Sequence, residues 1–242
     1  MRIDKVYILA LGIDQPKVDK IQSKLDKCGF ESRIECEILS GHNGWTQPIP
    51  EGVTVFNKFG LGEKTDNPHW KLPPQPGEIG CALSHINAWK RIAKGKEERC
   101  LILEEDFWSI KTLSELPEPN PNWPFVWDYC TLGRWVFDYG NDIKLDDTWC
   151  IPSLHYNMQS YVLTKTGAQK LVDYKLEDNL FPNDEFITAT YMKHSRPDID
   201  ELYPIKTINA IATRDDWFNQ DGSPSRVSTH TPQRVDKDRL PE

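Results

Sequence analysis

Six carboxylates, in two short clusters and one helix start, carry most of the chemistry this chain could do. Leu101-Ile102-Leu103-Glu104-Glu105-Asp106 is a short apolar run that ends directly in three acids. A continuous apolar run of this length suits a strand buried on both faces of a parallel sheet. In open α/β sheets, ligands bind beyond the carboxyl ends of the strands. Three adjacent acids repel one another unless a positive charge sits among them. Hard oxygen ligands on a tight turn suit Mg²⁺ or Mn²⁺, and such an ion can also bridge a diphosphate. A solvated acidic turn fits the same residues, and spacing alone leaves both readings open. The second cluster is Asn183-Asp184-Glu185. Either acid could act as general base on an acceptor hydroxyl, or both could simply favour the dipole of a helix they begin.

The third feature is Gly77-Glu78-Ile79-Gly80-Cys81-Ala82-Leu83-Ser84-His85. Glycine lets a backbone approach a ligand closely, and a helix N-terminus favours phosphate. Gly77, Glu78, Gly80, Ser84 and His85 are therefore candidates for the donor side of a site, together with Glu104 and Glu105. A single histidine on a helix is more commonly structural. There is no GxGxxG, no GxxxxGK and no GxSxG, so dinucleotide, P-loop and serine-hydrolase readings have no support.

These residues need a scaffold that brings strand ends and helix starts together. Lys5–Leu11 reads as a strand, and Pro16 suits a first helical turn. Val18, Ile21, Leu25 and Cys28 follow at helical spacing, with Gly29 as a C-terminal cap. Arg33–Leu39 alternates as a second strand. This β-α-β opening predicts a parallel sheet. Residues 41–76 read as a long proline- and glycine-rich loop holding Trp45 and Trp70, either of which could close over a ligand. Glu78–Ala93 has one apolar face and is the clearest helix. A strand region is expected over Trp123–Leu132 and a strand over Ser160–Leu163. Thr166 and Gln169 have the spacing of a capping box for a helix running through Val172. A further helix is expected over Phe181–Met192. The segment from Arg214 reads as polar loop.

The bulk properties narrow the class. The chain has 242 residues, and 38% hydrophobic with 27% charged residues is compatible with a packed core. The net charge of −8 argues against a nucleic-acid partner. Nine tryptophans offer flat surfaces for a core or for sugar rings. The six cysteines show no CxxC spacing, which argues against a zinc ribbon. The apolar run Val6–Leu11 is too short for a signal peptide or membrane span. A cytoplasmic location, reduced thiols and no transmembrane segment are the resulting expectations.

Taken together the segments resemble glycosyltransferase family 25, which includes bacterial lipopolysaccharide glycosyltransferases and procollagen galactosyltransferases. Pro76–His85 resembles the family's signature helix, and Leu103-Glu104-Glu105-Asp106 its acidic L-E-D-D motif, with Glu105 where the family usually has Asp. Trp127-Asp128-Tyr129 with Leu132-Gly133-Arg134 resembles the collagen-type W-D-x-x-x-L-G-R segment. Ser160–Leu163 with Gly167–Val172, and Phe181–Phe186 with Tyr191–His194, resemble two later segments. The turn Ala10–Pro16 departs from the family pattern. The resemblance implies an α/β, GT-A-like single domain with a Rossmann-like, mostly parallel sheet over residues 1–232, and a polar tail at 233–242. It also implies a UDP-sugar donor (often UDP-galactose), Mn²⁺ or Mg²⁺, inversion at the anomeric carbon, and a glycan or protein hydroxyl as acceptor. Metal ligands would be Glu104 and Asp106, with His230 as a C-terminal candidate, and the base Asp184 or Glu185. The other readings of the same residues are a catalytically inactive glycan- or nucleotide-sugar-binding module and a glycoside hydrolase working with paired acids.

Overall fold

The structure, a computed structural model, describes residues 1–29, 34–56, 72–136 and 141–222. Strand β1 (Lys5–Ala10) is buried along its whole length. Its near-continuous apolar sequence fits that position, because a central parallel strand is covered on both faces. Helix α1 (Gln15–Lys27) follows; Asp14 opens it by accepting the Lys17 N–H at 2.9 Å. Gly29, at φ +67°, takes the left-handed position just past its end. Strand β2 (Glu35–Ser40) then pairs parallel with β1. Helix α2 (Pro76–Lys94) leads into β3 (Arg99–Glu104), which flanks β1 on its other side, also parallel.

Short strands complete the framework: β4 (Phe107–Ser109), β5 (Tyr129–Thr131), β6 (Trp135–Val136), β7 (Ile143–Lys144), β8 (Trp149–Ile151) and β9 (His155–Tyr156). Then come β10 (Ser160–Thr164), α3 (Lys165–Asp173), α4 (Asn183–Tyr191), α5 (Pro197–Leu202), β11 (Ala210–Thr213) and β12 (Phe218–Gln220). The main sheet has the order β2-β1-β3-β10-β5-β11-β8-β7. Six of its eight strands point the same way; β10 and β8 run against them. The sheet is thus mostly parallel and flanked by helices, as expected of a GT-A-like α/β fold.

Alternation along the strands splits the core in two. Tyr7, Leu9, Ile102 and Tyr161 face Trp89 of α2 and Phe186 of α4. Val6, Ile8, Leu101 and Leu103 face Ile21 and Leu25 of α1. Among the described residues, no helix is long and apolar enough to cross a membrane.

Several expected boundaries move. Helix α2 begins at Pro76, two residues before Glu78. The N-cap of α3 is Thr164, which accepts the Gly167 N–H at 2.9 Å, and not Thr166. Strand β10 passes into the helix without a loop, so the cap falls on its last residue. The strand region over Trp123–Leu132 contracts to Tyr129–Thr131; Pro124, near its start, cannot donate to a ladder. The segment from Arg214 is not all loop: Phe218–Gln220 pairs antiparallel with β4. Trp70, His230 and the tail 233–242 lie outside the described residues.

Candidate active site

The acidic turn closes β3, and each of its three acids meets a different environment. Glu104 Oε1 lies 3.0 Å from His85 Nε2 and 3.5 Å from Cys81 Sγ, both on α2. Burial alone would raise the Glu104 pKa, but the His85 contact outweighs it and leaves the carboxyl below its usual range. Glu105 pairs with Lys17 at 2.6 Å. Among the described residues, Asp106 Oδ1 is buried without a hydrogen-bond partner. Burial first, and then the charges of Glu104 and Asp221, push its pKa up to about 7.

Asp221 arrives from the far end of the chain. In the β4–β12 pairing Gln220 lies opposite Phe107, so the next residue falls beside Asp106. The Asp221 N–H donates to the Asp106 carbonyl at 2.7 Å. Lys24 Nζ holds the Asp221 carboxylate at 2.6 Å and the Glu105 carbonyl at 2.8 Å. Lys20 stands 3.6 Å from the same carboxylate. A cluster of three acids with one orphaned oxygen is the donor chemistry of a hard divalent cation. Glu104 and Asp106 are the residues that could hold it.

Next to this turn, beyond the carboxyl ends of β1 and β3, lies a cavity of about 390 Å³. That is within the range of small-molecule sites, roughly 300–1,000 Å³. Lys17 and Lys20 of α1 line one side, and Gly77, Cys81 and His85 of α2 another. The loop Gly41–Trp45 forms the rim, with Trp45 47% exposed. Two glycines press this loop onto α2. A Cβ on Gly44 would lie 1.7 Å from the Pro76 carbonyl oxygen, and one on Gly80 would lie 2.4 Å from that of His42. Ser84 Oγ accepts the His42 N–H at 2.8 Å and donates to the Gly80 carbonyl at 2.7 Å. Gly80 is therefore engaged in loop packing, Ser84 braces the loop beneath the cavity wall, and Glu78 accepts the Gln75 N–H at 2.7 Å at the helix start.

Asp184 and Glu185 both sit in the first turn of α4, which Phe186 anchors by stacking on Trp89 at 5.7 Å. Asp184 accepts the backbone N–H groups of Asn157 and Met158, each at 3.2 Å. Asn157 adopts φ +79° to present its amide, a left-handed conformation that asparagine tolerates better than most residues. Burial, opposed by the Asn157 N–H and reinforced by Glu104, raises the Asp184 pKa to about 6. Glu185 is 3% exposed. It accepts from the Tyr156 hydroxyl and from His194 Nε2, the latter at 2.8 Å. His194 Nδ1 accepts the Arg196 N–H at 3.0 Å, so the proton is on Nε2.

The structure thus joins Gly77, His85, Glu104, Glu105 and Asp106 around one cavity, and sets Asp184 within electrostatic reach of Glu104 and His85. Sequence reasoning missed Lys17, Lys20, Lys24 and Asp221. The lysines did leave a signal: their spacing puts all three on one face of α1.

The family model described as "Glycosyltransferase family 25 (LPS biosynthesis protein)" matches residues 3–116. Procollagen galactosyltransferase 1 of Danio rerio is 24% identical over 228 residues, covering 88% of this chain and 35% of that protein. Procollagen galactosyltransferase 2 of Homo sapiens is 24% identical, with 88% and 34% covered. The procollagen lysyl hydroxylase and glycosyltransferase of Acanthamoeba polyphaga mimivirus is 29% identical, with 76% and 21% covered. The chain spans about a third or less of the length of these relatives. Among solved structures, a glycosyltransferase involved in glycosylation of the major capsid of PBCV-1 is similar at TM-score 0.42 and 11% identity, covering 91% of this chain and 94% of that one.

Proposed function

We propose that the chain is a member of glycosyltransferase family 25, whose model matches residues 3–116, and that it transfers a sugar, galactose in our reading, from a UDP-sugar to a hydroxyl of a glycan or protein acceptor. The observation that carries the reading is the acidic turn Glu104–Asp106 beside a cavity of small-molecule size, with Asp184 within electrostatic reach of Glu104. The names of the relatives support galactose as the sugar and a protein hydroxyl as one acceptor class.

In the proposed reaction the donor lies in the cavity, with its diphosphate toward Lys17, Lys20 and the acidic turn. A divalent cation, Mn²⁺ or Mg²⁺, held by Glu104 and Asp106, would supply charge neutralisation for the leaving diphosphate. Asp184 takes the proton of the acceptor hydroxyl on a carboxylate oxygen. The acceptor oxygen forms its bond to the anomeric carbon as the bond from that carbon to the diphosphate oxygen breaks, with its electron pair leaving on the nucleotide. One displacement of this kind inverts the anomeric centre. A carboxyl with a pKa near 6 suits the role, because a general base works best when its pKa is close to the working pH. Glu185 lacks that freedom, since His194 and Tyr156 hold it. Trp45 at the rim offers a flat surface to a base or sugar ring. All six cysteines are unbridged, which supports a reducing compartment, and we place the protein in the cytoplasm.

The test is release of nucleoside diphosphate from a panel of nucleotide sugars, with and without Mn²⁺, by the wild type and Asp106→Ala. Metal-dependent release from one donor, lost in the variant, is the expected result. Donor binding without turnover in the presence of acceptor would favour a binding module. Sugar release from a glycoside without nucleotide would favour a hydrolase.

A further inference from the structure

Behind Glu104 runs a line of hydrogen bonds with one allowed direction. Trp89 Nε1 lies 2.8 Å from the Tyr161 hydroxyl, that hydroxyl lies 2.8 Å from His85 Nδ1, and His85 Nε2 lies 3.0 Å from Glu104 Oε1. Trp89, Tyr161 and the His85 ring are fully buried, so each polar group must find its partner within the line. An indole N–H only donates. Trp89 therefore gives its proton to the Tyr161 oxygen.

Tyr161 has one proton of its own and, among the described residues, one remaining neighbour that can accept it: His85 Nδ1. Nδ1 then carries no proton and Nε2 does, and Nε2 donates to Glu104. The two other ring states fail the same accounting. A proton on Nδ1 alone would leave the Tyr161 proton without an acceptor and would aim a lone pair at a carboxylate. A doubly protonated ring would again strand the Tyr161 proton. Cys81, His85 and Glu104 also bring a sulfur, a nitrogen and an oxygen within 4.8 Å of one another. With Nε2 protonated, that trio is a hydrogen-bonding shell around Glu104 and not a cation cage.

We propose that Tyr161, backed by Trp89, is a positioning residue: it fixes His85 as the Nε2–H tautomer, which pins Glu104 Oε1 and leaves Oε2 as the oxygen offered to a divalent cation. This rests on the reading of Glu104 as a cation ligand. Among the described residues, the protein contacts to the Glu104 carboxylate fall on Oε1, as the proposal requires. Partners of this kind behind a ligand typically change metal affinity by about 10–100-fold when lost.

Two measurements separate the parts. The first is ¹⁵N NMR of the metal-free full chain labelled at histidine, with the His85 signals assigned by their loss in His85→Gln. The proposal predicts a protonated Nε2 and an unprotonated Nδ1 in the wild type, and loss of that single pattern in Tyr161→Phe. The second is Mn²⁺ binding, read by electron paramagnetic resonance of the free ion. Tyr161→Phe and His85→Leu should each weaken binding by about 10-fold or more. His85→Gln keeps a donor toward Glu104 and should stay close to wild type; it also serves if Tyr161→Phe does not fold. A proton on Nδ1 in the wild type would overturn the proposal, as would Mn²⁺ affinity unchanged in both Tyr161→Phe and His85→Leu. A wild type with the predicted tautomer and no Mn²⁺ binding would overturn the cation reading of Glu104 and leave the hydrogen-bond direction standing.

Discussion

The backbone N–H of Asp221 donates to the carbonyl of Asp106 at 2.7 Å, and this bond ties the end of β12 to the acidic turn after β3. It sets a further carboxylate beside a group that is already crowded. Lys24 compensates from below: its ammonium meets Asp221 Oδ2 at 2.6 Å, with both side chains nearly buried.

Lys24→Met should therefore cost far more than an ordinary surface change. Removing one partner of a buried ion pair typically costs about 3–5 kcal/mol, and the Glu105 carbonyl loses its Lys24 donor as well. Lys20 reaches the same carboxylate at 3.6 Å from a 63% exposed position, and Lys20→Met should cost under about 1 kcal/mol. Urea denaturation of the two variants checks the contrast. Equal losses would contradict the role given to Lys24.

Asp106 gives the stability a pH dependence with a definite sign. Its folded pKa, about 7, is above the ordinary aspartate value near 3.9. Between those values the folded state holds the proton more tightly, so stability falls as pH rises through the window and levels off above about 7. Asp184, raised to about 6, acts in the same direction. Asp106→Asn removes one contribution. Its melting temperature should exceed that of the wild type by a margin that grows from pH 4 to pH 7 and then stays flat. A margin independent of pH would refute the assignment.

Asp184 and Glu185 should fail in different ways. Asp184→Asn should lower kcat by about 10²–10⁴-fold, the usual contribution of a general base, with Mn²⁺ affinity retained. Glu185→Gln removes the anionic acceptor of His194 and should destabilise the fold by about 1–3 kcal/mol. Steady-state kinetics beside thermal melts distinguish the two, and a reversed pattern would exchange their roles.

Gly44→Ala tests the loop that rims the cavity. The new methyl would meet the Pro76 backbone, which cannot swing aside as a side chain can. Overpacking of this kind costs about 1–3 kcal/mol, and the displaced loop should raise KM for the donor. An unchanged KM would detach the loop from donor binding.

How far the site could be read from sequence depended on distance along the chain. The strand–acid junction at Leu103–Asp106 and the apolar face of α2 are local patterns, and both survive in the structure almost as read. The β4–β12 pair is not local. Each strand is three residues long, too short for a periodic signal, so Asp221 could not be placed beside Asp106 in advance. Asp184 and Glu185 are adjacent in one helical turn, and no spacing rule separates them; burial of Glu185 against His194 does. His85 reads from sequence only as a residue of the helix that precedes the acidic strand, and its proton position depends on Tyr161 in β10, which only the fold brings to it.

The most direct test of the central claim is a crystal of the protein grown with Mn²⁺ and UDP, measured for anomalous scattering at the manganese edge. The account predicts one strong peak bonded to Asp106 and Glu104, with the diphosphate beside it in the cavity between α1 and α2. No peak at the acidic turn, or the nucleotide bound elsewhere, would contradict it.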